Sequence, residues 1–170
     1  MSRRFTLVAV VLPLLAIVLG IVRAQLFLGR SRDFVFEIGG YDPRDLLRGH
    51  YLQFSLRVAS VPAREACVDQ PPGTCCLCLT HAEPNQVSKV EGATCATARA
   101  ECDGVLPLDV LKRPYRYYVP EERATNIEWR VSAAMQRRAA QAVVAVDADG
   151  VARVRELRID GEPIPGGPGR

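Results

Sequence analysis

The chain has 170 residues, of which 48% are hydrophobic and 24% charged, and this suits one modest globular domain together with a targeting segment. The formal net charge is only +3, and 22 basic residues are interleaved with 19 acidic ones. Because no basic stripe results, the composition argues against nucleic acid as a partner. No motif in the chain implies a cofactor.

The chain begins with an apolar segment, Phe5–Val22, which contains no charged residue. A helix of this length is about 27 Å long, close to the ~30 Å hydrocarbon core of a bilayer, and Pro13 would kink it without preventing insertion. We expect an uncleaved transmembrane anchor over residues 5–22 after a cytoplasmic tail over residues 1–4. A cleaved signal peptide is the competing interpretation, because residues 22–24 place small or apolar side chains at suitable offsets.

Two alternating segments after the anchor predict β-strands. Phe34, Phe36 and Ile38 alternate with Val35 and Glu37 in the first segment. The second segment, residues 51–58, places Leu52, Phe54, Leu56 and Val58 on one face. A period of two over this length predicts strands with one buried and one solvated face. Residues 23–32 are expected to form a juxtamembrane linker before them.

The segment between these strands, YDPRDLLRGH at residues 41–50, is dense in charge. Asp42 followed by Pro43 suits the start of a helical turn, and Gly49 suits its end. This favours a structural corner that directs the second strand. The alternative is a polar site made of Asp42, Asp45, Arg48 and His50. The histidine would then shuttle protons, but the sequence places no nucleophile beside it, so we expect a protein that is not an enzyme.

All the cysteines fall within residues 67–102 and number six. They are Cys67, Cys75, Cys76, Cys78, Cys95 and Cys102. We expect up to three disulfides that staple a loop-rich insertion without a core of its own, in an oxidising compartment. The sequence does not choose among the pairings. Two alternatives remain open, namely a zinc site formed by the CCxC motif with His81 and a set of free redox thiols.

The C-terminal part predicts a helix, a hairpin and a tail. Residues 121–138 begin with two carboxylates and contain neither glycine nor proline, which favours a helix. Val143–Val146 and Val151–Ile159 flank the loop DADG, which is typical of a hairpin. Residues 163–170 are expected to form a disordered tail because they are rich in proline and glycine.

These elements predict an α+β fold of mainly antiparallel β structure. We expect a small sheet or an open barrel with one packed helix, in a domain over residues 33–162 that follows a single transmembrane helix.

Three blocks of the sequence resemble the GDYXXLXY bacterial protein family, whose members are membrane-anchored. DPRDLLRGHYLQFSL, residues 42–56, is similar to the signature of the family. YYVPE at residues 117–121, with Glu128 downstream, resembles a second segment, and residues 143–164 resemble the closing hairpin. The cysteine-rich segment is not part of this pattern, and we interpret it as an elaboration of this chain.

The signature also contains departures from the family motif. His50 stands where the motif has aspartate, and Phe54 and Leu56 replace its leucine and tyrosine. If that aspartate were a catalytic acid, this chain would have lost it. The resemblance implies no established activity. It implies a polytopic membrane protein encoded nearby as a candidate partner, and a bacterial inner membrane as the location. The four-residue tail before the apolar segment, typical of a signal anchor, and the six cysteines predict that the C-terminal domain lies in the periplasm or outside the cell.

Polar residues of the resembling blocks define the candidate binding site, which consists of Asp42, Arg44, Asp45, Arg48, Tyr51, Tyr118 and Glu121. One interpretation is structural, because helix carboxylates such as Glu121 can pair with Arg44 or Arg48 and lock the helix against the corner. The alternative is a groove in which an arginine fork and tyrosine hydroxyls hold a polar group of an envelope molecule. Besides the bilayer itself, a multi-spanning protein or an envelope component is the expected partner.

We therefore expect a membrane-anchored extracytoplasmic accessory or binding module with no catalytic residue, metal or cofactor. The competing hypothesis is a cysteine-based metal-binding or thiol-redox protein of the cell envelope.

Overall fold

The computed structural model describes residues 3–40, 51–58, 74–83 and 86–168. The first of its two compact units ends at Ser31 and contains helix α1, Arg3–Arg30. Within this helix, Val8–Leu26 is long and apolar enough to cross a membrane. The helix extends beyond the expected anchor because no glycine or proline follows Val22 until Gly29. The residues expected to form a linker are therefore helical up to Arg30.

The second unit begins at Arg32 and contains two antiparallel sheets. Its strands are β1 (Arg32–Gly39), β2 (Tyr51–Arg57), β3 (Cys75–Thr80), β4 (Lys89–Thr94), β5 (Gly104–Pro107), β6 (Tyr115–Tyr118), β7 (Ala140–Val146), β8 (Ala152–Ile159), β9 (Glu162–Pro163) and β10 (Gly167–Pro168). Within the described residues, its helices are α2 (Cys95–Glu101) and α3 (Ala124–Gln136), with 3-10 turns at Leu108–Lys112 and Glu121–Arg123. The expected mainly antiparallel α+β fold is confirmed, and α3 is the expected helix.

In the part of the chain that the structure describes, the larger sheet has seven strands in the order β10-β6-β2-β1-β7-β8-β9, so β1 lies at its centre. Alternation along β1 turns Phe34, Phe36 and Ile38 into the core, where each is at most 5% exposed. Helix α3 packs on this inner side of the sheet through its buried stripe, which consists of Ala124, Ile127, Val131 and Ala134. These buried residues are spaced three and four apart, as one face of an amphipathic helix requires.

The C-terminal segment joins the two edges of the larger sheet. Strand β9 pairs with β8 at one edge and β10 pairs with β6 at the other, and β10 also contacts β8. Between them, the amide of Ile164 donates to the Leu157 carbonyl at 2.9 Å, and the Ile164 carbonyl accepts from the Tyr117 hydroxyl at 3.1 Å. Ile164 itself is buried.

This arrangement differs from the disordered tail expected over residues 163–170, of which the structure describes 163–168. Proline and glycine disfavour a long strand, but a two-residue edge strand needs few amide donors. Burial of Ile164 and its two hydrogen bonds then hold the segment in place.

The cysteine-rich segment also differs from the expected loop-rich insertion. Its described part forms a three-stranded sheet in the order β4-β3-β5, with α2 following β4. Alternation along β3 sends Leu77 and Leu79 into the same core as Phe34, while Cys76 and Cys78 face the other side with Ala98 of α2. The segment is thus built into the domain core instead of lying outside it.

A buried serine connects this segment to the centre of the larger sheet. The Ser88 hydroxyl accepts from the Val35 amide, and the Ser88 amide donates to the Val35 carbonyl, both at 2.9 Å. Among the described residues, strand β2 pairs with β1 at Glu37–Gly39. Ser88 therefore satisfies both backbone groups of Val35 beyond the point where pairing with β2 ends.

We predict that the C-terminal segment stabilises the fold. Ile164→Ala should lower the free energy of unfolding by about 2–4 kcal/mol, because it removes a buried side chain and leaves a cavity. Val151→Ala is the matched control, since Val151 is 47% exposed and truncating an exposed side chain costs less than about 0.5 kcal/mol. Urea unfolding of the full chain measures both. Equal, near-zero effects would mean that the segment is not packed.

Tyr115 should make the fold sensitive to alkali. Burial raises the pKa of Tyr115 to about 12, and its hydroxyl donates to the Val110 carbonyl at 3.2 Å. In the unfolded chain a tyrosine ionises near pH 10, so between about pH 10 and pH 12 the folded state holds more protons and stability falls as the pH rises. Urea midpoints across this range should fall less steeply for Tyr115→Phe, and an unchanged slope would contradict the assignment.

Candidate functional site

Of the seven predicted site residues, the structure describes three, namely Tyr51, Tyr118 and Glu121. The other four, Asp42, Arg44, Asp45 and Arg48, lie outside the described residues, as do the predicted corner at 41–50 and His50. The corner and its salt bridges to the helix therefore stay predictions.

Two of the described residues meet on the outer side of the larger sheet. Tyr51 of β2 lies opposite Tyr118 of β6 in the antiparallel register, and their ring centroids are 5.8 Å apart at an angle of 58°. Their neighbours Leu52 and Tyr117 point into the core on the other side. Alternation thus forces both candidate tyrosines to the outer side, and Tyr118 remains 41% exposed there.

An arginine that the sequence analysis did not select completes this surface. The guanidinium carbon of Arg116 lies 4.9 Å from the centre of the Tyr51 ring, within the range of a cation–π interaction. Arg116 precedes Tyr118 by two residues on β6 and therefore shares its face. The alternation in YRYY, residues 115–118, predicts that Arg116 and Tyr118 share a face. That this face lies beside Tyr51 follows only from the pairing of β6 with β2. We call Tyr51, Arg116 and Tyr118 the tyrosine face.

Glu121 is placed differently from the tyrosines. It is the first residue of the 3-10 turn that precedes α3, and its side chain is exposed. The partners expected for it, Arg44 and Arg48, are not among the described residues. The structure therefore brings together Tyr51 and Tyr118 from the predicted set and adds Arg116 to them.

The chemistry of the tyrosine face is that of non-covalent recognition. Tyrosine supplies a rigid apolar ring with a polar end, and arginine supplies a fork of donors that matches carboxylate or phosphate. Both residue types are enriched where protein interfaces carry most of their binding energy. The face can therefore bind a partner that presents apolar and anionic groups together.

The described cysteines are used in covalent bonds. Cys76 is bonded to Cys95 and Cys78 to Cys102, with Cα–Cα separations of 4.8 and 5.4 Å. Cys75 is disulfide-bonded as well, and Cys67 lies outside the described residues. The two described bonds fix both ends of α2, because Cys95 begins this helix and Cys102 follows it. A helix of seven residues is too short to persist alone, so these bonds hold it on β3.

His81, the histidine of the zinc hypothesis, packs its ring edge against Phe34 at a centroid distance of 6.3 Å. Its backbone amide donates to Asp103 at 3.0 Å, and Arg32 donates to the other carboxylate oxygen at 2.6 Å. The hydrogen bond from His81, with the charge of Arg32, holds the pKa of Asp103 below its usual value. Within the described residues, no group of three or more potential ligands is arranged for a metal.

Together, the fold and the tyrosine face define a disulfide-bonded α+β domain that follows a helix able to span a membrane. The chain belongs to the GDYXXLXY protein family, whose sequence model matches residues 13–157. The resemblance carried by the three sequence blocks is thereby confirmed, and the match also spans the cysteine-rich segment that those blocks left out. No curated protein and no solved structure matches the chain.

We predict that the native protein contains the two described disulfides. Trypsin digestion of membrane-purified protein after alkylation without reductant should release residues 65–89, which carry both Cys76 and Cys78, linked to one peptide that contains Cys95 and to another that contains Cys102. Fragmentation of this linked species should assign the Cys76–Cys95 and Cys78–Cys102 pairs. Reductant added before alkylation separates the pairs and serves as the control. Recovery of alkylated cysteines together with stoichiometric zinc would overturn these pairings and would support the cysteine-based hypothesis.

Proposed function

We propose that this protein is a membrane-anchored, extracytoplasmic docking module that binds a multi-spanning membrane protein or another envelope component through the tyrosine face. No catalytic step is assigned to it. The observation that carries the proposal is the pairing of Tyr51 with Tyr118 beneath Arg116 on the outer side of the sheet, away from the core.

Anchoring and compartment are supported by two features of the chain. The N-terminal helix contains an apolar stretch of 19 residues, which suffices for a bilayer. The disulfides favour an oxidising compartment, since thiols are kept reduced in the cytoplasm. We assign α1 to an uncleaved signal anchor in the bacterial inner membrane and the second unit to the periplasm or the cell exterior.

The disulfide bonding of the cysteines favours docking over a cysteine-based activity. Zinc binding and the reduction of another disulfide both require free thiolates on this chain. Cys76, Cys78, Cys95 and Cys102 are all paired. The tyrosine face, in contrast, presents a partly exposed ring and an exposed guanidinium to solvent, and neither is needed by the core.

Site-specific photo-crosslinking in intact membranes tests this proposal. A photoreactive phenylalanine analogue in place of Tyr118 should form one defined adduct with an integral membrane protein or envelope component. The same analogue in place of Val151, which is similarly exposed at 47%, should not form it. Identical adducts at both positions would contradict the proposal.

Arginine variants separate recognition from folding. Arg116→Ala should lower the yield of the Tyr118 adduct roughly 5- to 30-fold, because truncating an arginine at an interface hot spot costs about 1–2 kcal/mol. Arg99→Ala is the control, since Arg99 is exposed on α2, outside the larger sheet. Urea unfolding should be alike for the two variants. An unchanged yield with Arg116→Ala would exclude the tyrosine face as the docking surface.

A further inference from the structure

Trp129 is the most exposed large apolar side chain of the described second unit. It is 72% exposed, compared with 47% for Val151 and 41% for Tyr118. Tryptophan carries a large apolar ring that folded proteins normally bury to a high degree. The packing of the described residues therefore gives no reason for its position on the surface of α3.

The position of Trp129 follows from the geometry of α3. It lies two residues from both Ile127 and Val131, which are buried, and two residues correspond to about 200° around a helix. Trp129 therefore stands opposite the buried stripe. The residues three and four positions away are small and uncharged, and they are Thr125, Asn126, Ser132 and Ala133. We call this surface the tryptophan face.

The charges beside the tryptophan face have both signs. Glu128 and Arg130 flank Trp129 along the chain, and Glu122 and Arg123 precede it by about two turns. Within the described part of the chain, Arg123 and Arg130 form no ion pair. A single indole between free guanidinium and carboxylate groups matches the zwitterionic headgroup layer of a phospholipid bilayer, where phosphate and ammonium groups surround an amphipathic ring.

Chain connectivity selects the bilayer as the occupant. The apolar stretch of α1 ends at Leu26 and β1 begins at Arg32, so five residues, 27–31, separate the stretch able to span a membrane from the domain. On the anchoring of α1 proposed above, on which this step rests, so short a connection keeps the domain close to the headgroup layer. Tryptophan is itself the side chain most typical of the membrane–water interface, together with tyrosine.

We infer that the tryptophan face of α3 binds the headgroup layer of a phospholipid bilayer, with the indole of Trp129 inserted among the headgroups. This contact is separate from the proposed docking function, because α3 packs on the inner side of the sheet and the tyrosine face lies on its outer side. The two surfaces can therefore be occupied together.

The single tryptophan of the chain makes this inference directly measurable. The full-length protein, reconstituted in vesicles of phosphatidylethanolamine and phosphatidylglycerol, should emit with a blue-shifted maximum relative to the urea-unfolded protein. Lipids that carry a quencher in the headgroup or the upper acyl chain should quench this emission strongly. Lipids with the quencher at the acyl-chain end should quench it several-fold less.

A matched variant moves the probe to the other side of the sheet. Combining Trp129→Phe with Tyr118→Trp leaves one tryptophan, now on the tyrosine face, and its emission should escape quenching by the headgroup label. Equal quenching at both positions would show nonspecific proximity and overturn the inference. A blue shift that depends on protein density and resists every lipid quencher would assign the tryptophan face to a second copy of the chain or another protein, and would also overturn it.

Discussion

The backbone pairing of strand β1 is the constraint on which the rest of the domain depends. Its amides and carbonyls are taken by segments from three remote parts of the sequence, which are β2, β7 and Ser88. Phe34 and Phe36 then bring the leucines of β3 and the buried stripe of α3 into one core. Because each buried backbone group must find a partner, a shift of β1 by one residue would turn its aromatic side chains to the solvent and separate all of these elements.

The two proposed binding surfaces lie on opposite sides of this sheet. The outer side presents Tyr51, Arg116 and Tyr118, which suit a partner with apolar and anionic groups. The inner side is covered by α3, whose own outer surface presents Trp129. A single sheet that is buried on one side by a helix thus gives two distinct surfaces, each defined by the alternation of one strand or the turn of one helix.

Elements with a clear local period could be predicted from the sequence. The strands β1 and β2 follow from their alternation, α3 follows from its uninterrupted run, and the β7–β8 hairpin follows from the glycine-containing loop. The structure brings Tyr51 and Tyr118 of the predicted site side by side. Placing Arg116 beside them required the register between β2 and β6, which no local pattern contains. Residues 41–50 lie outside the described residues, so the predicted corner stays a prediction.

Failures of prediction share one physical cause, which is long-range contact. The composition of the C-terminal segment indicates disorder, but Ile164 is held by Leu157 and Tyr117 from two different strands. The cysteine-rich segment is the exception, because its signal is local. Cys76 and Cys78 alternate with Leu77 and Leu79, which is the pattern of a strand and not of a loop-rich insertion. The role of Ser88 has no signal in the sequence, because it consists of two hydrogen bonds to the backbone of Val35, 53 residues earlier in the chain.

The closure of the sheet by Ile164 has a consequence for how the protein reaches its native state. Strand β1 follows helix α1 after a single residue, yet its partner β7 lies roughly a hundred residues further along the chain. The C-terminal segment that contains Ile164 comes later still. Such non-local pairing makes folding slow, because the chain loses the entropy of loop closure before the stabilising contacts can form. The domain therefore completes its core only after nearly the whole chain has been synthesised. Until then β1, at the centre of the sheet, lacks its longest partner, and its backbone groups stay open to competing strands.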